Sequence, residues 1–128
     1  MPKWVHSDVL DNGPAYIKTN CNKVAAIISY TAGDSYATVM NAGNIVAEAD
    51  MANGDFTLGS SGSNRTLTTA SGKSDAAANN NGDPSHFAYV DTVNSKVLWV
   101  TTESSVQTIT AGNPVTFPSL VYTTSQPT

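Results

Sequence analysis

Acid–base chemistry at neutral pH would have to start from His6 or His86, the two histidines of this 128-residue chain, because no other side chain titrates unperturbed in that range. His86 follows Ser85 and stands three residues after Asp83, so the residue types of a nucleophilic triad occur together. A triad, however, needs groups that converge from separate elements, and a short run within one loop cannot supply that geometry. The carboxylates Asp8, Asp11, Asp34, Glu48, Asp50, Asp55, Asp75, Asp83, Asp91 and Glu103 are scattered, mostly beside Gly, Asn or Ser, where Asp commonly caps turns. Asp50-Met51-Ala52-Asn53-Gly54-Asp55 puts oxygen donors around a glycine, but it lacks the alternating carboxylates and closing Glu of a calcium loop. No catalytic residue, metal or cofactor is therefore expected, and the chain is not expected to be an enzyme.

Other signatures of chemistry are missing from the sequence. Cys21 is the single cysteine, has no zinc-site neighbours, and is expected to be a buried thiol. Neither a dinucleotide nor a P-loop glycine pattern occurs. Six Lys+Arg against ten Asp+Glu give a net charge of −4, which offers no footprint for a phosphate backbone, so nucleic acid is not an expected partner. Charged residues make up 12% of the chain, about half the usual share. The surface should thus be neutral and hydroxyl-rich. The longest apolar run, Val24 to Ile28, is far short of a membrane span, and the first residues lack a secretory pattern, so the expectation is synthesis in a cytoplasm without membrane association.

The elements that would position these side chains are mostly strands. Between Ser7 and Asn20, Val9, Leu10, Tyr16 and Ile17 share a helical face, with Ser7 or Asp8 as cap and Asn12-Gly13-Pro14 as an interruption. Val24 to Tyr30 is short, apolar and β-branched, as in a core strand. Residues 35–51 are ambiguous: a helical turn over Tyr36 to Asn41, then Ile45 to Ala49 as strand or second turn. From there short β-type runs follow at Asp55–Leu58, Arg65–Thr69, Ser74–Ala78, His86–Asp91, Lys96–Thr102, Val106–Ile109 and Val115–Tyr122, a spacing that points to an antiparallel meander. The clearest hairpin joins Phe87–Asp91 to Lys96–Val100 through Thr92-Val93-Asn94-Ser95. Gly59 to Asn64 and Asn79 to Asp83 should be exposed loops, and Thr123 to Thr128 a frayed tail.

A single domain over residues 1–128 follows, mainly β, an antiparallel β-sandwich or barrel with one short N-terminal helix, a short arm (1–6) and a polar tail (123–128). The ten aromatic residues are expected to serve mainly as core and cross-strand pairs. Trp4 is different, because it lies in the arm with Val5, away from any core segment. Trp4, Val5 and His6 are accordingly the candidate interaction residues, an apolar anchor able to dock on a neighbouring subunit.

Several strings carry a family resemblance: Ser7-Asp8-Val9-Leu10-Asp11, Tyr16-Ile17-Lys18-Thr19-Asn20, Gly54-Asp55-Phe56-Thr57-Leu58-Gly59, His86 to Asp91, Lys96 to Thr102, and Pro114-Val115-Thr116-Phe117-Pro118. Together they resemble the head decoration, or cement, proteins of tailed phages, small virion proteins encoded beside the major capsid gene. The likeness covers about residues 7 to 122 and consists of strands and turns without a catalytic signature. One departure is the first string, which is one residue shorter here. The resemblance implies a structural protein on the outer capsid surface of the virion, made in the host cytoplasm, that binds the major capsid protein and opposes internal DNA pressure. A homo-oligomer is implied, with a trimer favoured by the symmetry of capsid junctions. Two alternatives remain from the residues alone: a tail or head-fibre adaptor, and a carbohydrate-binding module stacking sugars on Trp99, Tyr89 and Tyr122. A small hydrolase would require a carboxylate or histidine pair converging in one cleft.

Overall fold

The computed structural model describes residues 4–5, 13–62, 64–103 and 107–124, with side chains from residue 13 onward. The first element is a two-residue strand, β1 (Trp4–Val5), and the next is a helix, α1 (Pro14–Asn20). Pro14 opens the helix where its missing N–H is no loss, and Gly13 before it takes φ +69°. Gly13-Pro14 therefore opens this helix, and Asn12 lies outside the described residues. The expected caps Ser7 and Asp8, and Val9 and Leu10 with them, lie outside the described residues.

β2 (Lys23–Ile27) is apolar without alternation because it is covered on both faces. The ambiguous stretch resolves into α2 (Tyr36–Val39), capped by Ser35 Oγ accepting from Thr38 N–H at 3.2 Å, and β3 (Ile45–Asp50). A 3₁₀ turn over Asn53–Asp55 leads into β4 (Phe56–Ser61) and β5 (Asn64–Thr69). Gly59 to Asn64 is thus largely strand, which corrects the expected loop: the ladder continues to the Ser61–Asn64 pair, and Gly62 at φ +62° supplies the tight turn. β6 (Lys73–Asp75) is shorter than expected, whereas β7 (His86–Asp91) and β8 (Lys96–Thr102) have the expected bounds. The run from Val115 to Tyr122 divides into β9 (Val115–Phe117) and β10 (Val121–Thr124), since Pro118 cannot donate to a ladder. Of the expected strand Val106–Ile109, Val106 lies outside the described residues and Ile109 forms only an isolated bridge with Gly82. Thr123 and Thr124, expected to fray, pair with Thr66 and Arg65; residues 125–128 lie outside the described part.

All the strand pairings are antiparallel, in sheets ordered β1-β8-β7-β2-β3, β10-β5-β4 and β6-β9. A simple meander is not what forms. β2 sits between β3 and β7, and β10 crosses to β5. Nor does the arrangement close into a barrel; the layers stack as in a sandwich.

The five-stranded sheet is packed on both sides. One face sends Val24, Ala26, Phe87, Tyr89 and Trp99 against Phe56, Leu67 and Phe117 of the second layer, with Ile17 of α1 beside them. The other sends Ala25, Ile27, Ala88, Val90 and Val100 against Tyr30 and Val39, with Tyr36 and Met40 at the margin. Each such large side chain removed from water contributes about 1.5–3 kcal/mol, so two apolar faces on one sheet form the main stabilising feature. A bulge at Tyr89/Val90 in the β7–β8 ladder lets Tyr89 face Trp99 while Val90 faces Val97.

Candidate functional site

Of the candidate interaction residues, Trp4 and Val5 pair their backbone with Val100 and Trp99 at the β8 edge of the same chain, while His6 lies outside the described residues. An edge strand presents unpaired N–H and C=O groups, and the chain's own arm satisfies part of that row. The opposite edge is also covered. Asp75 Oδ2 accepts from Glu48 N–H at 2.9 Å, Asn79 N–H donates to Val46 O at 2.7 Å, and Asn80 Nδ2 donates to Ile45 O at 2.7 Å and Ala42 O at 2.8 Å. The exposed loop Asn79 to Asp83 is as expected, and through Asn79 and Asn80 it also bonds the outer side of β3.

The histidine placed beside a serine is not arranged for nucleophilic attack. His86 is buried at 3% exposure, its Nδ1 lies 2.6 Å from Ser85 Oγ, and that hydroxyl donates to Ile28 O at 2.7 Å. Asp83 is exposed, and His86 packs its ring 5.6 Å from that of Tyr30. Several carboxylates hold turns. Buried Asp91 accepts from Val93 N–H at 3.0 Å, Asn94 N–H at 3.2 Å and Asn94 Nδ2 at 2.8 Å, and so closes the β7–β8 hairpin. Asp34 accepts from Thr31 N–H at 2.9 Å. Asp55 accepts from Ala52 N–H at 2.8 Å and pairs with Lys73 at 3.1 Å; these contacts hold its carboxyl below the usual range, the Ala52 hydrogen bond most of all. Among the described residues no three His, Cys, Asp or Glu side chains gather as metal ligands, and no helix is long and apolar enough to cross a membrane. Cys21 is buried, and desolvation pushes its thiol up to about 12.

The aromatic rings proposed as a sugar platform belong to the core. Tyr89 and Trp99 are 1% and 5% exposed and stack on each other at 4.7 Å, with the half-buried Tyr122 edge-on to Trp99 at 5.5 Å. Burial pushes the Tyr89 hydroxyl up to about 12. A glycan cannot stack on rings already enclosed by protein.

Two other features emerge from the tertiary arrangement. The first is the outward face of the three-stranded sheet. Phe56, Leu67 and Thr69 point inward, so the alternate positions point out: Thr57, Thr68 and Val121 form one cross-strand row, and Gly59, Thr66 and Thr123 the next. None of these residues is charged, and Val121 is 55% exposed.

The second is a cavity of about 490 Å³ between the layers, beyond the end of β8. Phe87, Phe117, Ile109, Val115 and Leu120 form its apolar wall, and Glu103 enters it from the sheet side. Glu103 N–H donates to Ser85 O at 3.0 Å, and the side-chain Oε2 is buried with no hydrogen-bond partner among the described residues. Desolvation pushes this carboxyl above its usual range. Sequence reasoning placed Glu103 among the scattered turn carboxylates. No local signal distinguishes it, because its apolar neighbours come from segments distant in the chain.

Compared with protein-family models, curated proteins and solved structures, the chain matches none. What the described residues define is a mainly β, sandwich-like domain with an uncharged sheet face and an interlayer cavity.

Proposed function

We propose that this protein is a structural virion component that binds the outer surface of a tailed-phage capsid and stabilises the shell against internal DNA pressure. The observation that carries this is the outward face of β4, β5 and β10, where Thr57, Thr66, Thr68 and Thr123 share the surface with Val121 on a hydrogen-bonded backbone. Hydroxyl groups can hydrogen-bond a partner without the desolvation cost of burying charge, and Val121 supplies apolar contact. The family-like strings around Phe56, Phe87, Trp99 and Phe117 all contribute buried rings, which suits a rigid part repeated many times on a shell.

The partner is the major capsid protein, and the protein acts as a homo-oligomer, with a trimer matching the symmetry of capsid junctions. No catalysis and no cofactor enter this role. Many copies, each with modest contact area, hold a shell together through multivalent attachment. The test is to mix purified protein with undecorated capsids and measure co-sedimentation together with capsid survival under heat or chelator. Saturable binding at a fixed ratio with a more durable shell is expected; absence of binding to any shell sinks the proposal and directs attention to tail and head-fibre adaptors.

A further inference from the structure

We infer that the interlayer cavity at Glu103 is a binding pocket for a primary ammonium group on an apolar body, the chemistry of an alkylamine or of a lysine side chain. Its volume of about 490 Å³ lies within the range of about 300–1,000 Å³ typical of small-molecule sites. Its lining combines an apolar part with Thr102, Gln107, Thr116, Ser119 and the Glu103 carboxyl. Phe87 and Phe117 meet edge to face at 5.8 Å and form an apolar floor with Ile109 and Leu120, whereas Glu103 Oε2 is a buried acceptor without a hydrogen-bond partner among the described residues. A buried carboxylate oxygen left in this way is costly, and a cation brought to it recovers a charge-assisted hydrogen bond.

The four described lysines are held elsewhere. Lys18 donates to Asn53 O and Phe56 O, Lys23 pairs with Glu48 and Asp50, Lys73 pairs with Asp55, and Lys96 donates to Tyr16 Oη. Arg65 stands on β5 opposite Ser60 and Thr124, and Lys3 lies outside the described residues. Among the described residues no cation is recorded at Glu103 Oε2, so this acceptor is open to a charge brought by a ligand.

The walls are fixed before any ligand binds. Ile109 exchanges two backbone hydrogen bonds with Gly82, at 2.9 and 3.0 Å. Leu120 is tied to Thr69 by two more, its carbonyl accepting from Thr69 N–H at 2.9 Å and its N–H donating to Thr69 Oγ1 at 2.8 Å. The Glu103 backbone is anchored on Ser85. Little conformational entropy is lost when a pocket of this kind fills.

The experiment is an NMR titration of the intact protein with n-pentylammonium, using 1-pentanol as the uncharged control of the same length. Saturable shifts centred on Glu103, Phe117 and Leu120 are expected, with the amine binding about tenfold more tightly than the alcohol, the difference between a charged and a neutral hydrogen bond. Glu103→Gln, which keeps the shape, should bring the amine down to the affinity of the alcohol. Equal binding of amine and alcohol by the unmodified protein, or shifts that leave Glu103 and Phe117 unmoved, would overturn the assignment without relying on the variant. A short peptide with one internal lysine separates the two sources: tighter binding than pentylammonium assigns the pocket to a lysine of a protein partner, and weaker binding assigns it to a free amine.

Discussion

Asp91 illustrates how much structure one side chain can hold. Its carboxylate is 2% exposed yet saturated by two backbone N–H groups and the Asn94 amide, so it sets the turn that registers β7 on β8. Asp91→Ala leaves these donors without an acceptor and should destabilise the fold by about 1–3 kcal/mol, measured as a lower midpoint in urea with an unchanged slope. Glu103 acts in the opposite sense. Its carboxyl is raised by desolvation, so the folded state holds the proton to higher pH than the unfolded chain does. The stability it contributes is complete below the unfolded pKa and is lost as pH rises through the folded value. Thermal melts of the unmodified protein and Glu103→Gln should therefore diverge as pH rises from the acid side, with the glutamine form gaining relative stability; parallel curves would remove Glu103 as the cause. Asp55, lowered by Ala52 N–H and Lys73, has the reverse dependence and loses its contribution as pH falls through its folded value.

At the scale of elements, the main sheet uses its own chain to close both edges. β1 pairs with β8, and the segment from Lys73 to Gly82 follows β3 through Asp75, Asn79 and Asn80. Deleting residues 1–5 opens the β8 edge at Trp99 and Val100, and an open edge pairs with any available strand. The expected result is concentration-dependent self-association in sedimentation velocity and a lower melting temperature. A monodisperse deletion variant would mean that the arm contributes nothing to edge protection. The elements also mark how far the sequence could be read. His86–Asp91 and Lys96–Thr102 were legible to the residue because two apolar runs flank four turn-forming residues, a wholly local pattern. Gly59 to Asn64 was not, because Ser and Gly are as compatible with a loop as with a hairpin, and pairing to β10 through Thr66 and Arg65 decides between them.

On the scale of the whole molecule, the proposed partner surface and the cavity lie on different parts of the fold and can be tested separately. Thr68 is at the middle of the uncharged face, on the central strand between Thr57 and Val121. Thr68→Glu puts a charge where a partner would have to desolvate it, so capsid binding should weaken at least about tenfold while the circular dichroism spectrum and melting temperature hold. Retained capsid binding would move the interface to another face. Under the proposed multivalent attachment, the defect should be larger for retention on whole shells than for binding to isolated capsid subunits.

The sequence by itself determined the mainly β class, the principal hairpin, the short helix before β2, the buried cysteine and the use of several aspartates as turn caps. All of these depend on contacts within a few residues, where propensity and periodicity speak directly. The tertiary structure alone decided which strands are neighbours, which face of β4, β5 and β10 is turned outward, that Trp99 and Tyr89 are enclosed, and that Glu103 sits in an apolar cavity. Each of these is a meeting of segments far apart in the chain. β2 lies beside β7 and Phe87 meets Phe117 because burying two apolar faces on one sheet requires a crossover, and that requirement leaves no local mark in the sequence.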